Sequence, residues 1–171
     1  PPGRQPIRSV WRTNYVKDKV YEYVRDQIEK DGQAYLVFPV IEKSDDLPVE
    51  SIEEASEELR DGAFRNCRVG IVHGKMKSAE RDATLEDFRA GKVQILIATT
   101  VIEVGIDNPE ANLLVIQNAE RFGLSQLHQL RGRIGRGSKK STVIALAGEP
   151  LSEYARRRLE YFVENSDGFK I

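Results

Sequence analysis

The sequence predicts a mostly parallel α/β sheet covered by helices on both faces. Two patterns carry that prediction. Apolar runs of about five residues, such as AYLVF (34–38) and NLLVI (112–116), are continuous rather than alternating, as in strands buried on both sides. Segments with apolar residues at helical spacing separate them, and strands alternating with helices favour parallel crossovers.

Taken in order, IRSVWRT (7–13) reads as the first strand. Asn14 is placed to cap a helix reaching about Lys30, with Val16, Val20, Val24 and Ile28 on one face and Gly32 just past its end. The strand AYLVF is followed by an acidic loop, EKSDDLPVE, and then by Ser51 and Glu54, spaced as a capping box for a helix to about Arg60. RVGIV (68–72) is the next strand, and a helix from about Ser78 to Ala90 offers Ala79, Leu85 and Phe88 as its inner face. VQILIA (93–98), NLLVI (112–116) and STVIALA (141–147) complete the strands, with a helix expected near 124–131 and a last one from about Leu151 to Asn165. In such sheets ligands sit at the carboxyl ends of strands, which points to the loops after 72, 98 and 116.

The 171 residues suit one domain with a substantial core, or one domain and an appended piece. No apolar stretch approaches the ~18 residues that span a bilayer, no secretory signal opens the chain, and the one cysteine, Cys67, excludes an internal disulfide. The Pro-Pro-Gly opening and the DGFKI ending read as cut ends, so an excised domain is expected. The formal net charge is -1, which argues against coating nucleic acid through bulk positive charge. Basic side chains are nevertheless concentrated: Arg121, Arg131, Arg133, Arg136, Lys139 and Lys140 fall in a stretch with no acidic residue. That distribution suggests a local anion site.

Within it, QLRGRIGRG (129–137) sets Arg133 and Arg136 three apart, a spacing that would project both to one side of a helical turn. Guanidinium groups present rigid forks of donors matched to phosphate oxygens. Glycines at 132, 135 and 137 let the backbone bend toward a neighbouring surface. ATTVIEVGID (98–107) begins at a strand end, where the Thr99 and Thr100 hydroxyls are placed to meet backbone phosphates and Asp107, after Gly105, to accept from a ribose hydroxyl. His73, Gly74 and Lys75 follow another strand end, where Gly74 exposes the backbone and Lys75 and Lys77 are cations suited to phosphate. A phosphate loop of the form G-x-x-x-x-G-K-[ST] does not occur, and no strand ends in an Asp-Glu pair able to hold magnesium. The chain has arginines for a phosphate but no cradle for it, so alone it should not hydrolyse ATP.

In this order and spacing, QLRGRIGRG, ATTVIEVGID and VGIVHGKMKSAER (69–81) resemble motifs of the second motor domain of superfamily two helicases. The stretch 99–137 is similar to the RecG branch-migration helicases and to transcription-repair coupling factors; PPGRQPI, FPVIEKSDD, EPLSEYARRRLE and NSDGFKI favour the former. The resemblance covers essentially the whole chain and implies a RecA-like, P-loop-NTPase-like sheet without its own P-loop. It also implies a division into residues 1–149, the motor domain, and 150–171, the start of a helical segment.

By the same resemblance, the full protein would use ATP and Mg²⁺ to move on double-stranded DNA and remodel stalled forks and Holliday junctions in repair and recombination. Arg133 and Arg136 would be finger residues reaching the nucleotide from across a cleft, with Gly105, Asp107 and Gln129 beside it. His73, Gly74, Lys75, Thr99 and Thr100 would face DNA, and no metal ligand is expected in this chain. Its partners would be branched DNA and, in the same protein, a first RecA-like domain and a wedge domain. No membrane association is implied, and the location would be the bacterial cytoplasm at the nucleoid. The alternatives are a coupling-factor motor domain, a non-catalytic nucleic-acid-binding module acting through 121–140, and, last, a self-sufficient α/β enzyme.

Overall fold

A computed structural model describes residues 6–39, 49–99 and 108–165, with the side chains of 49–51 left aside. The strands are β1 (Ile7–Thr13), β2 (Ala34–Phe38), β3 (Val69–Val72), β4 (Ile95–Thr99), β5 (Leu113–Ile116) and β6 (Ser141–Ala147). The helices are α1 (Lys17–Glu29), α2 (Val49–Asp61), α3 (Ser78–Arg89), α4 (Leu124–Arg131) and α5 (Glu153–Glu164). Every strand pair is parallel, and the order across the sheet is β1-β6-β5-β2-β4-β3.

The continuous apolar runs are explained by the two cores. In β2, Tyr35 and Val37 face a cluster shared with Phe88 of α3, Leu127 and Leu130 of α4, and Leu159 and Phe162 of α5. Ala34, Leu36 and Phe38 face the other cluster, with Val24 and Ile28 of α1, Ile52 of α2 and Phe64. Successive side chains point to opposite faces, so a strand covered on both sides must be apolar at every position. Each Leu, Ile or Phe so buried contributes roughly 1.5–3 kcal/mol relative to exposure.

The ends of elements depart from the expectation in informative ways. Asn14 does not cap α1: it lies inside a short 3₁₀ turn, Asn14–Val16, and α1 starts at Lys17 with no side-chain cap. Asp31 takes the left-handed conformation past α1 (φ 65), and Gly32 follows where a Cβ would come within 2.7 Å of the Gln27 carbonyl oxygen. Helix α2 already begins at Val49, so Ser51 sits within its first turn rather than at its cap. Ala79 is exposed in the first turn of α3, leaving Leu85 and Phe88 as the buried face. Strands β3, β4 and β5 begin one or two residues late, although Arg68, Gln94 and Asn112 already bond across to neighbouring segments, as in Gln94 N–H to Arg68 O at 2.7 Å. Helix α5 begins at Glu153, where Ser152 Oγ accepts from Ala155 N–H at 3.0 Å.

Candidate functional site

At the carboxyl edge of the sheet, β3 and β4 run side by side with Val72 opposite Ala98. Their ends bring His73, Gly74 and Lys75 close to Thr99. Gly74 and Lys75 are exposed and His73 is half-buried. The His73 backbone N–H donates to Met76 Sδ at 3.3 Å, which ties the turn to the apolar core. His73 Nδ1 accepts from Lys75 N–H at 3.3 Å and lies 3.9 Å from Glu53 Oε1 on α2. These are alternatives: the neutral ring accepts the amide, and a ring protonated at Nδ1 faces the carboxylate. Thr99 Oγ1 is buried with no hydrogen-bond partner among the described residues. Thr100, Gly105 and Asp107 lie outside the described residues.

The loop after β5 behaves differently. Gln117 is buried, and its Nε2 donates to the Tyr21 hydroxyl at 2.9 Å. Burial pushes the Tyr21 phenol above its ordinary pKa, while that hydrogen bond works the other way. Asn118 adopts a left-handed conformation (φ 51) and leads into a 3₁₀ turn, Ala119–Arg121. These groups are engaged in holding α1 and the sheet together.

Helix α4 buries Leu127 and Leu130 and leaves Gln129 exposed. It closes with Gly132 N–H to His128 O and Arg133 N–H to Leu130 O, both 3.0 Å. Beyond Arg131 the chain is no longer helical. Gly135 adopts φ 82, a conformation costly for any residue with a Cβ, and this breaks the turn between the two arginines. The expected helical turn carrying both is therefore absent. Ile134, fully buried, pins the segment to the core, while Arg133 is half-buried and Arg136 exposed.

The arginine stretch also lies at the edge opposite the one expected from the carboxyl-end rule. Lys140 O accepts from Asn112 Nδ2 at 3.3 Å, and the Lys139 ammonium donates to Asp31 O. Asp31 and Asn112 stand just before β2 and β5, at their amino ends. Strands of this length rise about 3.3 Å per residue, so the two sets of candidates are separated by roughly 15 Å of sheet.

Two features escaped the sequence reading. Arg131 is buried, 3% exposed, and serves α5. Its Nη1 donates to Phe162 O at 2.8 Å and Ser9 Oγ at 3.1 Å, its Nη2 to Asn165 O, and the guanidinium lies 4.2 Å above the Phe162 ring. A cation on the last carbonyls of a helix meets the negative end of its dipole. The signal was present in the spacing, since Arg131 falls four after Leu127 on the buried face.

The second is a buried amide network at the amino edge. Asn108, 2% exposed, donates from Nδ2 to Gln33 Oε1 at 3.2 Å and Phe88 O at 3.1 Å, and accepts at Oδ1 from Glu110 N–H at 3.1 Å. Its backbone N–H donates to the Tyr35 hydroxyl at 3.1 Å. Gln33 Nε2 donates to Phe88 O and Val93 O, and Gln33 N–H to Asn112 Oδ1. Nothing in the periodicity marks these side chains, because their partners are remote in sequence.

Among the described residues no three His, Cys, Asp or Glu converge as metal ligands, and no helix is long and apolar enough to cross a membrane. The guanidinium pair is chemically suited to phosphate oxygens.

Comparison with known proteins bears on the family and the fold. Over all 171 residues the chain is 45% identical to the ATP-dependent DNA helicase RecG of Thermotoga maritima and covers 22% of that protein. A solved structure of RecG bound to a three-way DNA junction superposes with a TM-score of 0.81 at 41% identity, over 99% of this chain and 22% of that one. The E. coli DEAD-box protein SrmB, solved with regulator of ribonuclease activity A, shares the fold at 19% identity (TM-score 0.65, 92% of this chain and 86% of that one). The chain thus spans about a fifth of the length of such RecG relatives. The sheet is RecA-like, and the helicase conserved C-terminal domain family matches residues 16–138. With more than half of its length matched in this way, the chain belongs to the helicase conserved C-terminal domain family.

Proposed function

We propose that this chain is the second motor lobe of a RecG-type, ATP-dependent DNA helicase that remodels stalled forks and Holliday junctions in repair and recombination. The single observation that best supports this reading is the segregation of two chemistries on one rigid sheet. Guanidinium groups stand at the amino edge, and lysines, an open glycine turn and a threonine hydroxyl with no partner among the described residues stand at the carboxyl edge.

In this reading ATP binds between this lobe and a first RecA-like lobe that carries the phosphate loop and holds Mg²⁺. Arg133 and Arg136 reach the phosphates across the cleft and stabilise the charge that develops as the terminal phosphoryl group leaves, a contribution worth about 10³–10⁵ in rate where such fingers have been removed. Gly105, Asp107 and Gln129 border the nucleotide. His73, Gly74, Lys75, Thr99 and Thr100 hold the DNA backbone without reading its sequence. Closure on ATP and opening after hydrolysis move that grip relative to the first lobe, and this steps the duplex along. A wedge domain elsewhere in the protein meets the branch point, and the protein works at the bacterial nucleoid.

The test is steady-state ATP turnover by this chain alone, by a separately made first lobe, and by the two mixed with forked DNA. The expected result is no turnover by this chain and a rise on mixing. Hydrolysis by the purified chain alone would falsify the reading.

A further inference from the structure

The arginine turn does not rest on the apolar core alone. Its last residue, Gly137, lies against the turn that begins at Asn108 and is closed by Ala111 N–H to Asn108 O at 3.0 Å. A Cβ on Gly137 would come within 2.5 Å of Pro109 O and 3.1 Å of Glu110 Oε1. The first contact is with backbone, which cannot swing aside, so any side chain at 137 must push the two turns apart. We infer, on the reading of Arg133 and Arg136 as phosphate-facing groups, that Asn108 is a positioning residue that sets where those arginines stand. Gly137 is the contact that transmits its placement.

The amide is specific to the task. Its oxygen closes the 108–110 turn by accepting from Glu110 N–H, and its nitrogen donates to two acceptors, Gln33 Oε1 and Phe88 O. A carboxylate at 108 would keep the first role and turn an acceptor toward two acceptors. Behind it, Gln33 fastens the end of α3 through Phe88 O and the approach to β4 through Val93 O. The turn is therefore fixed from three sides of the amino edge, and the arginine turn is set down upon it. Catalytic groups are sensitive to such supports: a displacement of about 1 Å can cost on the order of 10²-fold in rate.

The alternative is that the network only holds the fold together, and epistasis separates the two. In the full-length protein with forked DNA, Gly137→Ala and Asn108→Asp are each made in the native and in the Arg133→Ala background. If Asn108 acts through the arginines, each substitution lowers kcat by about 10-fold or more in the native background with KM for ATP within about threefold. In the Arg133→Ala background the same substitutions cost markedly less, about threefold or below, because one of the two groups they position is already gone. Equal losses in both backgrounds, or native kcat for both variants, overturn the inference. Native turnover by Arg133→Ala itself overturns the finger reading, and the inference with it. Should thermal unfolding show either variant to be unfolded, Gln33→Ala, which trims the network at a half-buried position, carries the same comparison.

Discussion

Thr99 shows at the scale of one residue how a local cost points to a role. Its hydroxyl is buried at the last position of β4, opposite Phe38, with no partner among the described residues. An unsatisfied buried hydroxyl costs about 1–3 kcal/mol, and valine would fill the same volume without that cost. Among the described residues packing gives no reason for threonine here; on the proposed reading, a phosphate oxygen at the strand end would be its partner. Thr99→Val is expected to leave thermal stability unchanged or to raise it, while the full-length protein loses DNA stimulation of its ATP turnover. If turnover is stimulated as before, Thr99 does not hold DNA. What was legible is its place at the carboxyl end of β4, because that follows from the apolar run before it. Arg131 was less legible, since a basic residue inside a basic cluster reads as surface until the partner helix is known.

Among the elements, those with strong periodicity were read to the residue: β1, β2, α4 and β6 run as their apolar patterns predict. The errors fell at the starts of elements, β3, β4 and β5 by one or two residues and the helices through their caps. Asn14 and Ser51 carry capping side chains, yet α1 is entered through a 3₁₀ turn and α2 begins two residues early, because packing of Val24, Ile28 and Ile52 fixes the helices more strongly than a cap can. The arginine turn was misread for a related reason: a spacing of three suggests a helix, but the positive φ of Gly135 is invisible until Ile134 is seen buried beneath it. Helix α5 depends on α4 in a way that can be measured. Arg131 supplies donors to its last carbonyls, and hydrogen bonds to a charged group are worth about 1.5–3 kcal/mol each before desolvation is counted. Arg131→Met should therefore destabilise the chain by about 3 kcal/mol and lower Tm by roughly 6–12 °C. Arg157→Ala on the same helix removes an exposed pair with Glu153 at 3.4 Å and should shift Tm very little. Equal effects of the two would mean that Arg131 does not hold α5.

For the whole molecule, the decisive quantity is the distribution of charge rather than its total. Net charge is -1, and the basic stretch 121–140 is divided by the fold: Arg131 is buried against α5, while Arg133, Arg136, Lys139 and Lys140 gather at the amino edge. At the other edge, the turn after β3 brings two exposed lysines, Lys75 and Lys77, among the described residues. Among the described residues, the proposed DNA face has too few cations to release many counterions, and each phosphate neutralised contributes about 0.9 to the slope of log K against log salt. The chain alone should therefore bind forked DNA weakly, on the order of 10⁻⁴ M or worse near physiological salt, with a shallow salt dependence. Adding a first lobe with ATP should tighten binding, because two half-grips then close on one duplex and the second contact becomes intramolecular. A non-catalytic module acting through 121–140 makes the opposite prediction: tight binding by the isolated chain, steeply weakened by salt and indifferent to the first lobe. Titrating forked DNA at two salt concentrations, with and without the first lobe, separates the two, and a steep slope for the chain alone would mean that the arginine edge, not the carboxyl edge, is where nucleic acid lies.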